Sequence, residues 1–213
     1  AAGDAGMVGG QMLDLVAGDH ALNMPEITRL QRMKTGALIA VSCEAGAILG
    51  KASENAHHVL HGTATYEIVP PTVAETTVKI ETITDRNWPF LVACEGTEVV
   101  GYAYATQFRD RPAYAFACEN SIYIAHDRRG SGIGKRLLTA LLDAAETYGF
   151  RQMVAVIGGG EPASVALHGS CAFEHVGRLT GMGWKAGRWL DTVYMQIALG
   201  GGTASAPTAD RPA

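Results

Sequence analysis

Residues 128–149 read RRGSGIGKRLLTALLDAAETYG and join a glycine-rich loop to an amphipathic helix. Apolar residues recur along one side of the helix at helical spacing, namely Ile133, Leu137, Leu138, Leu141, Leu142 and Ala145. This stripe predicts that the helix packs on a core and ends at Gly149. Its N-terminus then remains for binding, because unpaired backbone N–H groups and the positive end of the helix dipole favour an anion there. Small residues at Gly130, Gly132 and Gly134 keep that backbone accessible, and the basic residues Arg128, Arg129, Lys135 and Arg136 surround it.

The spacing of these glycines excludes the two common nucleotide loops. A Walker A loop requires G-x-x-x-x-G-K-[ST], but Gly130 and Gly134 are one residue too close and Arg136 occupies the hydroxyl position. A dinucleotide fingerprint requires G-x-G-x-x-G, whereas these glycines fall at every second position. The sequence therefore predicts a different phosphate-bearing ligand.

Composition indicates a folded domain that acts on a small molecule. The 213 residues are 47% apolar and 18% charged, which is typical of one globular domain with an appendage. A net charge of −4 argues against a nucleic-acid partner. The four cysteines are widely separated, so they predict neither a metal site nor a disulfide framework. We find no signal peptide and no apolar window long enough to span a bilayer, and we therefore expect a cytoplasmic protein without a membrane partner.

The order of predicted elements indicates an α+β (α/β) fold. A helix in PTVAETTVKIETITDR precedes a hairpin that turns at Gly96 and Thr97, and strands NSIYIA and RQMVAVIGG flank the glycine-loop helix. A short helix in EPASVALHGSCAF and two further strands complete the order, which predicts a mixed sheet. Residues 200–213 are predicted to be a disordered tail.

The R-x-x-G-x-G pattern at Arg129–Gly134 resembles the acetyl-CoA signature of the GNAT acetyltransferase superfamily. The segments HVLHGTATYE, RPAYAFACENSIYIAHDRRGSGIGKRLL, SVALH and GRWLDTVYMQ extend the resemblance to its phosphinothricin and methionine sulfoximine N-acetyltransferase branch, over about residues 55–199. The resemblance implies a mixed twisted sheet flanked by helices, acetyl-CoA as co-substrate, no metal and a homodimer. It also implies acetyl transfer to the amine of a small amino-acid-like substrate. No first GNAT strand is recognisable before this region.

The same resemblance assigns roles to individual residues. It implies that the backbone of Ile122, Tyr123 and Ile124 lines the pantetheine arm of acetyl-CoA. The pyrophosphate is assigned to the loop residues Arg129, Gly130, Ser131, Gly132, Ile133 and Gly134. Glu119 corresponds to the general base, which removes a proton from the substrate ammonium, although an exposed charge at the end of the strand is the alternative interpretation. His168 lies where many members carry a tyrosine that protonates the leaving thiolate, and a structural role for this histidine is equally open.

Substrate contacts are implied for Arg109, Asp110 and Arg111, and for Asn120 and Ser121. A guanidinium suits the carboxylate or phosphinate of an amino-acid analogue, although solvated loop charges are the alternative interpretation.

Several further assignments concern the rest of the domain. We expect Tyr66 and Trp184 either to wall the pocket or to lie in the core, and Arg188 and Asp191 to form an ion pair. Two residues depart from the family pattern: Glu161 replaces an asparagine, and Ala172 replaces a glycine.

Residues 1–53 resemble a fragment of a farnesyl-diphosphate-synthase-type polyprenyl synthetase, and residues 1–54 are predicted to be helical. The resemblance includes a G-Q-x-x-D-L element at Gly10–Leu15 and the Lys34–Thr35 pair. Prenyl transfer needs aspartate-rich clusters that hold magnesium, and the chain has no Asp-Asp pair. We therefore expect no prenyl synthase activity.

Two alternatives to a small-molecule acetyltransferase remain open from sequence. One is a protein or peptide α-amine acetyltransferase, which requires an open groove. The other is a catalytically dead fusion that carries a truncated GNAT scaffold.

Overall fold

A computed structural model describes residue 59 and residues 62–207. The expectations for the N-terminal helical segment, 1–54, and its polyprenyl synthetase resemblance lie outside the described residues. The chain divides into two compact units, and the described residues 72–86 belong to one of them. Residues 62–71 and 87–207 belong to the other, which contains the sheet.

Helix α1 spans Val73–Asp85 and confirms the helix predicted in this threonine-rich stretch. Its N-terminus is a capping box, in which the Thr72 hydroxyl accepts from the Glu75 N–H and the Thr72 N–H donates to the Glu75 carboxylate at 2.7 Å. These bonds hold the pKa of Glu75 below its usual value, with the Thr72 N–H as the largest cause. Further along, the hydroxyls of Thr76, Thr77 and Thr82 donate to carbonyls one turn back. The threonines are tolerated because their hydroxyls are bonded within the helix.

The second unit is built on a six-stranded mixed sheet, as expected for the α+β class. Its strands are β1 (Phe90–Glu95), β2 (Glu98–Gln107), β3 (Ala117–Ile124), β4 (Gln152–Gly158), β5 (Glu174–Lys185) and β6 (Arg188–Ala198). They lie in the order β1-β2-β3-β4-β6-β5, and only the β3–β4 pair is parallel. Helix α2 (Ile133–Tyr148) connects β3 to β4, and helix α3 (Pro162–Ser170) connects β4 to β5.

Helix α2 packs its apolar stripe on the strands, as the sequence predicts. Its residues Leu137, Leu138, Leu141 and Ala145 are buried, and Gly149 ends the helix in the left-handed conformation. The same core contains the buried side chains of Phe150, Met153 and Met195. None of the helices within residues 62–207 is long and apolar enough to cross a membrane.

Strand β3 begins at Ala117 rather than at the predicted Asn120. Cys118 is fully buried and pairs with Gln107 on one side and Met153 on the other. A buried backbone must satisfy its N–H and C=O groups, so the sheet ladder includes these residues. Glu119 consequently lies inside the strand and not at its start.

Residues 200–207 form turns, in which the Arg151 guanidinium donates to the Gly202 carbonyl at 3.0 Å and to the Ser205 hydroxyl at 2.7 Å. The predicted disordered tail runs on to residue 213, and its residues 208–213 lie outside the described residues.

One sequence expectation for an ion pair differs from the structure. Asp191 pairs with Arg178 and not with Arg188. Residues three apart on one strand point to opposite faces, whereas Arg178 on β5 lies beside Asp191 on the neighbouring strand.

Helix α3 ends in a Schellman motif that carries alanine where glycine is favoured. The N–H groups of Ala172 and Phe173 donate to the carbonyls of Gly169 and His168, and Ala172 has φ = 65°. An L-residue in this region costs about 1–2 kcal/mol, which explains the glycine that the family pattern has there.

Replacing Ala172 with glycine is therefore expected to raise the free energy of unfolding by about 0.5–1 kcal/mol, after the greater chain entropy of glycine is subtracted. Urea unfolding followed by circular dichroism measures this change in the free energy of unfolding. The matched control is Ala166→Gly, inside α3 and exposed, which should lower stability by about 0.5–1 kcal/mol. An Ala172→Gly variant that is no more stable than the parent contradicts the strain argument.

Candidate active site

The site begins where strands β3 and β4 separate. They pair from Ala117 opposite Gln152 to Asn120 opposite Ala155, and the ladder then stops. Strand β3 continues to Ile124 paired with β2, while β4 continues to Gly158 paired with β6. Residues 121–124 therefore have no ladder partner on their β4 side among the described residues. An extended ligand with amide groups fits such an edge, because it can bond to the backbone as a further strand does.

The glycine-rich loop lies at the open end of this gap. Strand β3 leads through a short 3₁₀ turn, His126–Arg128, into Gly130 and Gly132, whose φ angles are 76° and 84°. Gly132 is the N-cap of α2, and no side chain within the described residues caps this helix by a hydrogen bond. The first intrahelical acceptor is the Gly132 carbonyl, which receives the Arg136 N–H at 3.2 Å. The N–H groups of the first turn are thus presented at an accessible positive helix end.

Glycine is needed for backbone conformation at positions 130 and 132 but not at 134. A Cβ at Gly130 or Gly132 meets nothing within 4 Å, so the constraint there is the left-handed φ. Gly134 has an ordinary helical conformation, and a Cβ there would lie at van der Waals distance, 3.4 Å, from the Leu167 side chain. The three glycines of the motif therefore serve different purposes.

Arg128 holds the loop in place and does not point its charge at the binding end. Its guanidinium pairs with Glu95 at 3.1 Å, with Glu98 at 3.8 Å and with Asp127. The hydrogen bond to Glu95 is the largest cause that raises the pKa of Arg128. The Ser131 hydroxyl also donates to the Arg128 carbonyl. Of the basic cluster in the sequence, Lys135 and Arg136 are exposed in the first turn of α2.

Glu119 lies one residue before the separation point, on the sheet face opposite to Asn120. It is half-buried and lies between Thr106 of β2 and Val154 of β4. Alternation along β3 places the side chains of Ser121 and Tyr123 on the same face. The carboxylate is thus attached to a rigid strand next to the gap.

A cluster of aromatic rings covers this face beyond Glu119. Tyr102 stacks on Tyr123 with ring centroids 4.8 Å apart, and Phe90 stacks on Tyr102 and Tyr104. Burial, followed by the neighbouring Tyr104 and Tyr102, raises the pKa of Tyr123 well above its usual value. Tyr123 therefore stays a neutral phenol at physiological pH. Tyr102 and Tyr104 are not among the residues expected from sequence, although the alternating GYAYA of β2 predicts that both face one side.

His168 is buried in α3 with both ring nitrogens bonded. Nδ1 lies 2.7 Å from the Ser164 carbonyl oxygen, and Nε2 lies 2.9 Å from Asn120 Nδ2. A carbonyl only accepts, so Nδ1 carries the proton and Nε2 accepts from the Asn120 amide. Burial lowers the pKa of His168, and the Ser164 bond opposes it. The ring is therefore neutral at physiological pH, and its role as proton donor to a thiolate stays a prediction.

Residues 109–111 form an exposed loop at the opposite end of β3 from the glycine-rich loop. Gln107 donates to the carbonyls of Arg109 and Arg111 at 2.7 and 3.1 Å, which fixes the loop backbone. The Arg109 guanidinium lies over the Phe108 ring at 4.4 Å. Because Thr106 pairs with Glu119, this loop follows the strand segment beside the carboxylate.

Tyr66 and Trp184 lie against the β5–β6 hairpin. The Tyr66 hydroxyl donates to the Asp191 carbonyl at 3.0 Å and bonds to the Thr192 hydroxyl, while its ring crosses Gly183 so closely that no Cβ fits there. Trp184 is 59% exposed and meets Trp189 edge to face. Glu161, the departure from the family asparagine, is the N-cap of α3 and forms no side-chain cap bond.

The residues present fit acetyl-CoA on three observations. The gap between β3 and β4 accepts an extended amide-bearing arm, and the α2 N-terminus accepts a pyrophosphate. At the inner end of the gap, Asn120 Oδ1 is a buried acceptor without a hydrogen-bond partner among the described residues. Residues 121–124 would line the arm and the loop 129–134 would hold the pyrophosphate, and acetyl-CoA bound there would supply an activated acetyl group. Among the residues described, no group of three or more His, Cys, Asp or Glu side chains is placed to hold a metal ion.

Comparison with known proteins gives consistent matches. The sequence profile of the Acetyltransferase (GNAT) family matches residues 56–173. A phosphinothricin N-acetyltransferase from Alcaligenes faecalis is 44% identical over 71% of this chain and 78% of its own length. An L-methionine sulfoximine/L-methionine sulfone acetyltransferase from Pseudomonas aeruginosa is 38% identical over 68% of this chain and 84% of its own.

A solved structure shares both fold and sequence with the chain. It is a GNAT superfamily phosphinothricin acetyltransferase from Sinorhizobium meliloti in complex with acetyl-CoA, with a TM-score of 0.76 and 45% identity. The match covers 81% of this chain and 91% of that one.

Proposed function

The chain belongs to the GNAT acetyltransferase family and is an acetyl-CoA-dependent N-acetyltransferase, and from this membership we propose that its acceptor is the α-amine of a small amino-acid analogue. The substrate class is that of phosphinothricin and methionine sulfoximine, which the names of the relatives specify for those proteins. The observation that supports this best is the arrangement along β3. The glycine-rich loop lies at one end, an arginine-bearing loop at the other, and Glu119 between them.

Glu119 serves as the general base in this proposal. An α-amine is mostly protonated at neutral pH, with a pKa of about 8, and must lose a proton before it attacks. The carboxylate attracts the ammonium, takes its proton directly or through water, and frees the lone pair that forms the new N–C bond. Attachment to the paired part of β3 keeps the carboxylate at a constant position beside the gap.

The separated edge of β3 stabilises the charge that develops during attack. Backbone N–H groups of residues 121–124 that face the gap are available to a thioester carbonyl, whose oxygen becomes negative as the N–C bond forms. When the C–S bond breaks, the sulfur takes a proton, and His168 is the group that the family resemblance assigns to this step. The neutral ring has its only proton on Nδ1, so His168 can act here only after Nε2 gains the second proton, which the amine nitrogen loses as the amide forms.

Arg109 and Arg111 are proposed to hold the acidic group of the substrate. A guanidinium binds a carboxylate or a phosphinate through paired hydrogen bonds, and Gln107 fixes the carbonyls of both residues. Asp110 and Ser121 complete the proposed substrate contacts.

Thiol release from acetyl-CoA tests this function. The full chain is assayed with L-methionine sulfoximine, with phosphinothricin and with a peptide that has a free N-terminal alanine. We expect release with the two amino-acid analogues, an N-acetylated product by mass spectrometry and little turnover of the peptide. Turnover of the peptide alone identifies a peptide acetyltransferase. A folded protein that neither binds acetyl-CoA nor releases thiol identifies a dead fusion.

We also propose, from the family resemblance, that the enzyme is a cytoplasmic homodimer. Sedimentation velocity measures its mass directly. A species at twice the chain mass supports the dimer, and a single species at the chain mass contradicts it.

A further inference from the structure

Asn120 occupies the point where the two central strands separate. It is the last residue of β3 that pairs with β4, opposite Ala155, and its side chain is only 7% exposed. Alternation directs it to the face that carries α3, where it meets His168.

The direction of the Asn120–His168 bond is determined by Ser164. Its carbonyl accepts the Nδ1 proton of His168, which leaves Nε2 as an acceptor. The asparagine must therefore present its NH₂ group to the ring and not its oxygen. A reversed amide would place two acceptors face to face at 2.9 Å, so the orientation of the amide follows from the bonding.

This orientation leaves Asn120 Oδ1 buried without a hydrogen-bond partner in the part of the chain that the structure describes. A buried unpaired carbonyl costs free energy, because its hydrogen bonds to water are lost and not replaced. The other side-chain groups around it are bonded: the Asn120 amide to His168, and His168 to Ser164. The structure thus retains one unsatisfied neutral acceptor beside the gap.

We propose that Asn120 is a two-sided positioning residue of the acetyl-CoA site. Its NH₂ group holds His168 with Nε2 turned toward β3, and its oxygen accepts a hydrogen bond from an amide N–H of the acetyl-CoA arm. The second role rests on the acetyl-CoA dependence of the enzyme. This assignment replaces the substrate contact that sequence reasoning gives to Asn120 with a contact to the cofactor arm.

The neutral charge of the amide groups in acetyl-CoA and the face of the sheet on which Asn120 lies both favour the acetyl-CoA arm as the hydrogen-bond donor to Asn120 Oδ1. The arm of acetyl-CoA carries neutral amide N–H groups, which match a neutral carboxamide oxygen. The acceptor amine instead approaches Glu119, whose side chain lies on the opposite face of β3. An ammonium also prefers the carboxylate, because hydrogen bonds between charged groups are stronger than those to neutral acceptors. The asparagine therefore contacts the cofactor and acts on catalysis by fixing its thioester and His168.

NMR of the full chain tests both roles without a mutation. In the free protein we expect ¹⁵N signals of His168 that show a proton on Nδ1 only, with a scalar coupling across the hydrogen bond between Asn120 Nδ2 and His168 Nε2. Addition of acetyl-CoA should shift the Asn120 side-chain carbonyl ¹³C resonance in the direction of a new hydrogen bond. A proton on Nε2 in the free protein overturns the first role, and an unmoved carbonyl resonance at saturation overturns the second.

Calorimetry with the isosteric variant Asn120→Leu gives an independent measurement. Loss of one neutral hydrogen bond should weaken acetyl-CoA binding by about two- to tenfold. The matched control is Gln196→Leu, which removes an amide bonded to Gln152 in the same sheet, outside the β3–β4 gap, and should bind as the parent does. Equal affinity of the Asn120→Leu variant and the parent overturns the cofactor contact.

A failure of the proposed function and a failure of the Asn120 proposal give different results. If the parent chain binds no acetyl-CoA, the cofactor dependence fails, while the His168 spectrum of the free protein still decides the first role. An Asn120→Leu variant that does not fold leaves the NMR measurement on the parent as the deciding experiment.

Discussion

Replacing Glu119 with glutamine is expected to lower kcat for amine acetylation by about 10²- to 10⁴-fold, the range for loss of a general base. Glutamine keeps the size of the side chain and its attachment to β3, so the sheet should be unchanged. It does not accept a proton, so the substrate ammonium keeps its own. Because the acetyl-CoA arm lies along residues 121–124 in the proposed site, its affinity should change little.

Steady-state thiol release and calorimetry with acetyl-CoA measure the two effects separately. The matched control is Glu174→Gln, which removes an exposed strand carboxylate at the start of β5 and should keep the parent kcat. A Glu119→Gln enzyme with a kcat within a few-fold of the parent excludes Glu119 as the base. A variant that loses acetyl-CoA binding instead indicates a structural role.

Replacing Gly132 with alanine is expected to weaken acetyl-CoA binding by about 10- to 100-fold. Gly132 has φ = 84° at the N-cap of α2, so an L-residue strains the turn that presents the helix N–H groups. A shift of that turn removes at least one hydrogen bond to a charged group, which accounts for an effect of this size. The added methyl group also projects from the proposed pyrophosphate loop, since no described atom other than those of its own neighbours in the chain lies within 4 Å of it.

The control variant Gly181→Ala separates the effect of backbone strain from the effect on acetyl-CoA binding. Gly181 has φ = 65° and equally open surroundings, but it lies in the β5 bulge, where its N–H donates to Asp191. This control should lose stability as Gly132→Ala does, yet keep the parent affinity for acetyl-CoA in calorimetry. If both variants bind acetyl-CoA equally well, the loop is not the pyrophosphate site.

The ordering of elements was predictable from sequence because it depends on local patterns. The apolar stripe from Leu137 to Ala145 predicts which face of α2 is buried, and the alternation in β2 marks it as a strand. The sequence also led to the phosphate loop, since positive φ at Gly130 and Gly132 is a local demand of the turn. The error at the start of β3 arose because Cys118 and Glu119 are held by partners distant in the chain.

The ion pair of Asp191 likewise depends on residues distant in the chain and could not be predicted from local sequence. Nearness in sequence suggested Arg188 as the partner of Asp191, but two antiparallel strands bring Arg178 to the Asp191 carboxylate. The pKa of Asp191 is lowered first by the Gly181 N–H and then by Arg178. Side-chain partners across a sheet depend on register, and the shifts in β5 between Leu179 and Gly183 are not visible in the sequence.

The sequence by itself determined the α+β class, the glycine-loop helix and, through the resemblance, the acetyltransferase family, while the catalytic roles of Glu119 and His168 stay predictions. Only the tertiary structure decided that β3 and β4 separate after Asn120, that Arg128 is engaged by three carboxylates, and that His168 is neutral and bonded to Asn120. The physical reason is the range of the interactions. Helical periodicity and turn conformation arise between residues a few positions apart, whereas ionisation states and bond directions depend on side chains that the fold brings together from distant strands and helices.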